Sequence, residues 1–395
     1  MTYPTIRILK GHDARLRGGH PWLFSNELRI DEAAKALEPG APVRLMAPNG
    51  NVIGVAQFNP HSLIAGRLLS RNKDAVIDGA FLERRVERAL GLRQSLFERP
   101  FYRLVHAEGD GLPGLVVDRF GDDHLVVQMN AAGMDRLREP LLAALSKATG
   151  ARNVLARNDA PVRLLEGLGQ GVEALAGAVP GRLWIEENGL PFLIDPHGGQ
   201  KTGWFYDQRL NRAFVRGLAR GADVLDLYSH SGGFGLGAAA GGAASVTLVD
   251  GSGPALDLAR ESAARQGVEA RVETVRSDAF KALEGFAAEK RRFGLVVADP
   301  PAFVRSRKDL AVGLRTYRKL ARDAAAVTAE PGFLCIACCS HNVEADAFAA
   351  EVWGGIRAAG RGGRLLHRAF AGPDHPVHPA LPETAYLKFL AYALD

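Results

Sequence analysis

A chain of 395 residues is longer than one hydrophobic core usually supports, so we expect two or three domains. With 47% hydrophobic and 24% charged residues, the composition excludes a disordered or fibrous chain, and three cysteines are too few for a disulfide framework. The formal charge of +5 is compatible with a polyanionic partner. The first residues lack the apolar core of a signal peptide and no run is long enough to span a bilayer, which predicts a cytoplasmic protein without membrane contact.

The N-terminal half changes its pattern twice. From Thr5 to about Arg71, short alternating runs broken by Gly, Pro and Asn predict a small β-barrel. Helical spacing from Asp78 to about Phe97 is followed by strand-like runs, a helical stretch over 134–147 and further strands that end near Glu187. These changes predict three domains, of residues 1–75, 76–188 and 189–395.

Basic and aromatic residues lie close together in the first of these domains: Lys10, Arg15, Arg17, His20, Trp22 and Phe24. Such mixtures suit RNA, because cations follow phosphates and rings stack on bases. The alternative is a solvated charged face with Trp22 and Phe24 in the core.

After Arg209 the chain becomes regular, and apolar runs alternate with Ala-rich helical segments. The runs are Val224–Tyr228, Ser245–Asp250, Ala270–Val275, Leu295–Asp299 and Gly332–Ala337. This alternation predicts a parallel, doubly wound sheet. Ligands bind such sheets at the carboxyl ends of the strands, so we expect the functional residues just after each run.

The first run leads into a Gly-rich turn, Ser231–Gly235, that enters a helix. Glycines let backbone N–H groups approach a ligand closely, although such a turn can serve packing alone. Asp250 ends the second run, where a carboxylate can accept both hydroxyls of a ribose, and its alternative is a loop aspartate or helix cap. Asp278 follows the third run and could hold an adenine amino group, with a helix N-cap as its alternative.

A nicotinamide cofactor is the main competing interpretation, because Gly233–Ala238 matches the dinucleotide pattern G-x-G-x-x-A. Two features count against it. The glycines start several residues beyond the strand, and Asp226 places a carboxylate where a pyrophosphate would be repelled. A cofactor that carries a positively charged amino acid fits Asp226 better.

The fourth and fifth runs end in residues suited to chemistry on a planar base. Asp299 is followed by two prolines, which fix the backbone and can present the aspartate in a set geometry, although Asp-Pro-Pro can also be a simple turn. Cys339, at the end of the fifth run, is a better nucleophile candidate than the core-like Cys335 and Cys338. The basic run Arg305–Lys308 borders the predicted substrate entrance, with a solvated helix start as its alternative.

Together these motifs resemble the PUA-domain class I methyltransferases of large-subunit ribosomal RNA, typified by a bacterial cytosine-5 methyltransferase. The resemblance covers essentially the whole chain and rests on His20–Ser25, Glu108–Asp118, Gly199–Arg209, Asp226–Gly235, Asp299–Phe303 and Cys339-Ser340. It implies an α/β multidomain protein with an N-terminal PUA RNA-binding domain, a central α/β domain and a C-terminal Rossmann-like domain. The implied cofactor is S-adenosyl-L-methionine (SAM) and the implied partner is ribosomal RNA. We predict no metal ion, and a homodimer is compatible with these features.

The resemblance also implies roles for individual residues. The cofactor is expected to contact Tyr206, Gln208, Arg209, Asp226, Tyr228, Ser231, Gly232, Gly233, Phe234, Asp250, Ser252, Asp278, Ala279 and Asp299. The RNA is expected to contact Lys10, Arg15, Arg17, Pro300, Pro301, Phe303 and Arg305. In the family mechanism the thiolate that matches Cys339 adds to cytosine C6, and Asp299 holds the base edge.

The sequence departs from the family pattern at two places. Ala302 stands where a lysine often follows Asp-Pro-Pro, and Ser229-His-Ser231 alters the glycine loop. These departures leave the target base open, and two alternatives stand beside cytosine methylation. One is direct methylation of guanine or another base without Cys339, and the other is an RNA-binding accessory protein without catalysis.

Overall fold

The computed structural model describes residues 3–395, which divide into two compact units. The first unit holds the chain up to Gly181 together with Asp195–Trp204 and Pro373–Thr384. The second unit consists of Arg182–Ile194, Phe205–Gly372 and Ala385–Asp395. Two short segments that come after Gly181 in the sequence therefore fold with the N-terminal part of the chain.

The first unit contains the N-terminal strands and helices. Its strands are β1 (Thr5–Arg7), β2 (Trp22–Leu23), β3 (Ala41–Met46), β4 (Val52–Phe58), β5 (Gly66–Ser70), β6 (Phe101–His106), β7 (Leu115–Phe120), β8 (His124–Met129), β9 (Asn153–Asn158) and β10 (Gly171–Ala176). Its α-helices are α1 (Ala14–Arg17), α2 (Glu32–Lys35), α3 (Gly79–Leu96), α4 (Ala132–Arg136) and α5 (Arg138–Thr149). Short 3₁₀ helices lie at Ser25–Glu27, Ala107–Asp110, Pro161–Glu166 and Pro382–Thr384.

Within the described residues, these strands form two five-stranded sheets. The first has the order β1-β3-β4-β5-β2, and the second has the order β10-β9-β8-β7-β6. Helices α3 and α5 pack against each other beside the second sheet, and Leu82, Val86 and Leu141 on them share its core. Helical spacing of the apolar residues in α3 produces this buried face.

The second unit contains the regular α/β pattern. Its strands are β11 (Leu183–Glu187), β12 (Leu190–Ile194), β13 (Asp223–Leu227), β14 (Ser245–Asp250), β15 (Val272–Arg276), β16 (Phe293–Ala298), β17 (Thr328–Cys338), β18 (Gly363–Ala369) and β19 (Lys388–Leu394). Its α-helices are α6 (Arg209–Leu218), α7 (Gly233–Ala240), α8 (Gly253–Gln266), α9 (Ala279–Ala288), α10 (Leu310–Val327) and α11 (Ala345–Ala358). Short 3₁₀ helices lie at Tyr206–Gln208, Glu269–Arg271 and Arg307–Asp309.

Strands β13 to β19 form one sheet with the order β15-β14-β13-β16-β17-β19-β18. The pairings from β15 through β17 are parallel, and this confirms the predicted doubly wound sheet and the α/β multidomain class. Strand β19 pairs antiparallel with β17 and with β18. Strands β18 and β19 are absent from the sequence prediction, because they join the sheet by antiparallel pairing and lie outside the alternation of apolar runs and helices.

Among residues 3–395, no helix combines the length and the apolar character that crossing a membrane requires.

Candidate active site

The carboxyl ends of the parallel strands bring several predicted residues to one edge of the sheet. Strand β13 pairs with β14 on one side and β16 on the other, so the strand order reverses at β13. Such a reversal opens a crevice for ligands. Asp226 lies in β13, and the charges of Asp299 and Asp250 act on its carboxylate. These three aspartates therefore share one edge, as the sequence predicted.

Asp226 is the most unusual carboxylate of this edge. Its side chain is 1% exposed, its Oδ2 accepts a hydrogen bond from the Gly235 N–H at 2.8 Å, and its Oδ1 has no hydrogen-bond partner. Burial raises the pKa of Asp226 to about 7, and the negative charges of Asp299 and Asp250 add to this effect. A buried carboxylate with one open oxygen suits a cationic group such as the ammonium of an amino acid. The site therefore fits the amino acid part of SAM.

The Gly-rich turn places backbone close to Asp226. Tyr228 and His230 both have positive φ angles, 59° and 48°, a backbone conformation that residues other than glycine seldom adopt. A Cβ atom on Gly235 would lie 2.2 Å from Leu248 Cδ2, so only glycine lets α7 approach the sheet this closely. The glycine at position 235 of this turn is therefore explained by the lack of space for a side chain.

Asp250 organises the end of β14. Its Oδ2 accepts a hydrogen bond from the His230 N–H and its Oδ1 accepts one from the Ser252 N–H, both at 2.8 Å. The Ser252 hydroxyl caps helix α8 by accepting from the Ala255 N–H at 3.3 Å. The carboxylate therefore holds the turn after β13 and the start of α8 together.

Asp278 fulfils its alternative role as a helix cap. Its Oδ1 accepts hydrogen bonds from the backbone N–H groups of Phe280 and Lys281 at the start of α9. Its charge also acts on the Tyr228 hydroxyl, whose pKa is raised mainly by burial. Ala279, the first residue of α9, is buried. The aspartate lies at the same sheet edge, and its capping bonds use one of its two oxygens.

The segment before α6 also contacts the site. Gln208 Nε2 donates a hydrogen bond to Asp299 Oδ1 at 2.9 Å. The Arg209 guanidinium lies over the Tyr206 ring at 5.1 Å and within 3.9 Å of a Glu187 oxygen. Tyr206, Gln208 and Arg209 are all buried. The Gln208 side chain thereby joins this segment to the aspartates. Ser231, Gly232, Gly233 and Phe234 are buried in the turn and the start of α7.

Cys339 lies against the Asp-Pro-Pro loop. Its Sγ is 3.8 Å from the carbonyl oxygen of Pro300, and its side chain is partly exposed, whereas Cys335 and Cys338 are buried. Burial raises the pKa of the Cys335 thiol. Exposure and position thus favour Cys339 over the other two cysteines as a group that meets a substrate.

Lys388 is a buried residue of this region that lies outside every sequence motif. It is 6% exposed, and its Nζ donates hydrogen bonds to the carbonyl oxygens of Ser340 and Tyr386 at 2.9 and 3.0 Å. The sequence signal that could have found it is a lone lysine at the start of the apolar run 387–394.

The predicted RNA-contacting residues fall in both units. Lys10, Arg15 and Arg17 are exposed on the first unit, where Arg15 pairs with Glu27 and Arg17 with Asp13. Trp22 and Phe24 are half-buried, and Trp22 Nε1 donates to Glu108 at 2.7 Å, so Trp22 is anchored as well as partly exposed. On the second unit, Pro301 and Arg305 are exposed, Pro300 is buried, and Phe303 packs on Tyr317.

Two family models match different parts of the chain. Residues 6–71 match a PUA-like domain, and residues 163–380 match the family model described as S-adenosylmethionine-dependent methyltransferase. The first match corresponds to the first five-stranded sheet, and the second includes the sheet edge that carries the aspartates.

Curated relatives and solved structures agree with these matches. Proteins named "Ribosomal RNA large subunit methyltransferase I" from Alteromonas mediterranea and Vibrio cholerae are 36% and 35% identical, and each alignment covers 98% of this chain and 97% or 98% of the relative. A SAM-dependent methyltransferase from Streptococcus mutans has the same fold at 20% identity, with a TM-score of 0.83 over 99% of this chain and all of that one. A methyltransferase complexed with SAH has a TM-score of 0.84 at 20% identity, and each chain is fully covered.

Proposed function

The chain belongs to the family of PUA-like, S-adenosylmethionine-dependent methyltransferases, and on this basis we propose that it methylates C5 of a cytosine in large-subunit ribosomal RNA. The observation that carries the proposal is the contact of Cys339 Sγ with the Pro300 carbonyl, next to Asp299. A nucleophile and a base-holding carboxylate are then neighbours at the edge where the cofactor binds. The cofactor is SAM, which supplies an electrophilic methyl group when it is bound.

A cysteine is needed because an aromatic carbon is a poor nucleophile. The Cys339 thiolate adds to cytosine C6, and this new C–S bond makes C5 nucleophilic enough to take a methyl group. That methyl group comes from bound SAM by cleavage of its sulfur–methyl bond, which leaves S-adenosylhomocysteine. Asp299, oriented by Gln208, holds the base edge and stabilises charge at its ring nitrogen. Loss of the C5 proton to a base then breaks the C–S bond and returns the thiolate.

The cofactor is held by groups with complementary charge. The open oxygen of Asp226 accepts the ammonium group of the methionine part, and this ion pair favours the ionised carboxylate. Asp250 accepts the ribose hydroxyls, and Asp278 with Tyr228 borders the adenine. This arrangement is supported by the position of all four side chains at one sheet edge.

The RNA contacts follow the predicted domains. Residues 1–75 bind RNA through Lys10, Arg15 and Arg17, and residues 189–395 carry out methyl transfer, with Arg305 near the entrance. Residues 76–188 form the central α/β domain. The names of the relatives support a ribosomal RNA substrate. A cytoplasmic location is part of the same proposal. We also propose that the protein forms a homodimer, and sedimentation of the purified protein tests this proposal.

A methyl-transfer assay tests the proposal. Ribosomal RNA from cells that lack the protein is incubated with purified enzyme and methyl-labelled SAM, and mass spectrometry identifies the modified base. We expect 5-methylcytosine from the wild type and none from Cys339→Ala, which should still bind S-adenosylhomocysteine (SAH). Cys335→Ala, in the buried part of β17, is the matched control and should stay active. An active Cys339→Ala enzyme, or a methyl group on another base, would favour direct transfer instead.

A further inference from the structure

Lys388 is buried next to the proposed nucleophile, and a lysine is seldom buried without partners. It lies opposite Cys338 in the antiparallel pairing of β17 with β19. Its Nζ donates to the carbonyl oxygen of Ser340, the residue that follows Cys339, at 2.9 Å. The side chain therefore ends beside the backbone that carries the nucleophile.

The charged and titratable groups around Lys388 come from several elements. Cys338 and Cys339 lie at the end of β17, and Glu344 precedes α11. Burial lowers the pKa of Lys388, whereas the negative charge that these three groups can carry raises it. The Tyr317 hydroxyl, from α10, borders the same groups, and its pKa is raised by burial and by the negative charge that Cys338 and Cys339 can carry. An ammonium group here therefore attracts the negative charge that a Cys339 thiolate would carry.

The segment after Cys339 is held on its other side as well. Ser340 Oγ accepts a hydrogen bond from the Val304 N–H at 3.3 Å and lies 3.2 Å from the Tyr317 hydroxyl. Lys388 adds the contact to the main-chain carbonyl of the same residue. Both the side chain and the backbone of Ser340 are therefore anchored, which limits where Cys339 Sγ can point.

We propose that Lys388 is a positioning residue of the Cys339 site, which fixes the Cys339-Ser340 segment through the Ser340 carbonyl and supplies a positive charge that favours the thiolate. The proposal rests on the nucleophilic role proposed for Cys339. A nearby positive charge lowers the pKa of a thiol, and the thiolate is the form that reacts. A lysine with a purely structural role would donate its hydrogen bond to the Ser340 carbonyl and would not change the ionisation of the Cys339 thiol.

Alkylation of Cys339 reports the ionisation of its thiol and does not depend on methyl transfer. Full-length protein is treated with iodoacetamide between pH 5 and pH 10, and mass spectrometry follows the Cys339 peptide, with Cys339→Ala as the background. Lys388→Gln keeps two hydrogen-bond donors and loses the charge, Lys388→Met loses both, and Lys388→Arg keeps the charge. We expect the midpoint of alkylation to rise by about one pH unit in the Gln and Met variants and to stay near the wild-type value in the Arg variant.

Unchanged midpoints in folded Lys388→Gln and Lys388→Met proteins would overturn the proposal. If neither variant folds, the wild-type midpoint decides, because a value below the ordinary thiol pKa of about 8.5 supports the proposal and a value at or above it overturns it. The two proposals fail separately. Active Cys339→Ala enzyme would contradict the nucleophile in the methylation assay, while the alkylation midpoints would still report on the charge of Lys388.

Discussion

Gln208 and Asp299 are 91 residues apart in the sequence, yet Gln208 Nε2 donates a hydrogen bond to Asp299 Oδ1 at 2.9 Å. The amide cannot simply rotate away, because its Oε1 accepts a hydrogen bond from Asn211 Nδ2 at 2.6 Å. The residue just before α6 therefore orients the carboxylate that follows β16. Orientation of a carboxylate matters where it must meet the edge of a planar base.

Replacing Gln208 with leucine should lower kcat of methyl transfer about 10- to 100-fold, since a hydrogen bond to a charged group contributes about 1.5–3 kcal/mol. Steady-state kinetics at saturating SAM and RNA measure this change. Leu210→Ala, an exposed position two residues further along the chain at the start of α6, is the control and should leave kcat unchanged. Equal rates for Gln208→Leu and the wild type would mean that Asp299 needs no orienting partner.

Asp226→Asn should weaken SAH binding about 10- to 100-fold, because the amide keeps the shape of the carboxylate but cannot form an ion pair with an ammonium group. Isothermal titration calorimetry gives the affinity directly. Asp223→Asn changes an exposed aspartate at the other end of β13 and should bind SAH like the wild type. Equal affinity in both variants would remove Asp226 from the cofactor site.

Asp226 should also make the stability of the ligand-free protein depend on pH. Its folded pKa, raised to about 7, exceeds the ordinary value of 3.8, so the folded state keeps a proton that the unfolded state loses. The contribution of Asp226 to stability is therefore full below pH 3.8 and is lost as the pH rises towards 7. Asp226→Asn should gain stability relative to the wild type over this range, by about 3 kcal/mol, in urea unfolding at several pH values. A constant difference between pH 4 and pH 7 would contradict the raised pKa.

His230 has a φ of 48°, a conformation that costs a residue other than glycine about 1–2 kcal/mol. His230→Gly and His230→Ala both remove the imidazole, so any difference between them reports the backbone. We expect the glycine variant to be about 1 kcal/mol more stable than the alanine variant in denaturant unfolding. At Gly285, within α9, glycine should instead be less stable than alanine, which provides a control of opposite sign. Equal stability of the two His230 variants would show that this turn relaxes.

The basic residues after the Asp-Pro-Pro loop should contribute to RNA affinity through phosphates. Arg305 and Lys308 are exposed, and the Arg305→Ala/Lys308→Ala protein should lose affinity and reduce the slope of log K against log salt by about 1.4, at about 0.7 per contact to a single strand. Lys290→Ala/Arg292→Ala removes two exposed cations just before β16, at the other end of the strand, and should leave the slope unchanged. Filter binding at several salt concentrations makes the comparison, and equal slopes would assign the RNA to another surface.

The amino-acid sequence by itself determined the parallel sheet, its edge and the residue types on that edge. The reason is local, because a strand buried on both faces must be an apolar run, and the residue that follows it must lie at the carboxyl edge. Asp299 and Cys339 follow their strands, while Asp250 ends one and Asp226 lies one residue before the end of another, so all four could be placed at this edge.

Only the tertiary structure decided which side chains meet. Gln208 reaches Asp299, and Lys388 reaches the Ser340 carbonyl, because strand crossovers and the antiparallel strand β19 bring distant parts of the chain together. No local period encodes such contacts. The open oxygen of Asp226 likewise depends on burial by the surrounding elements, and it is burial that turns an ordinary aspartate into a group able to hold a cation.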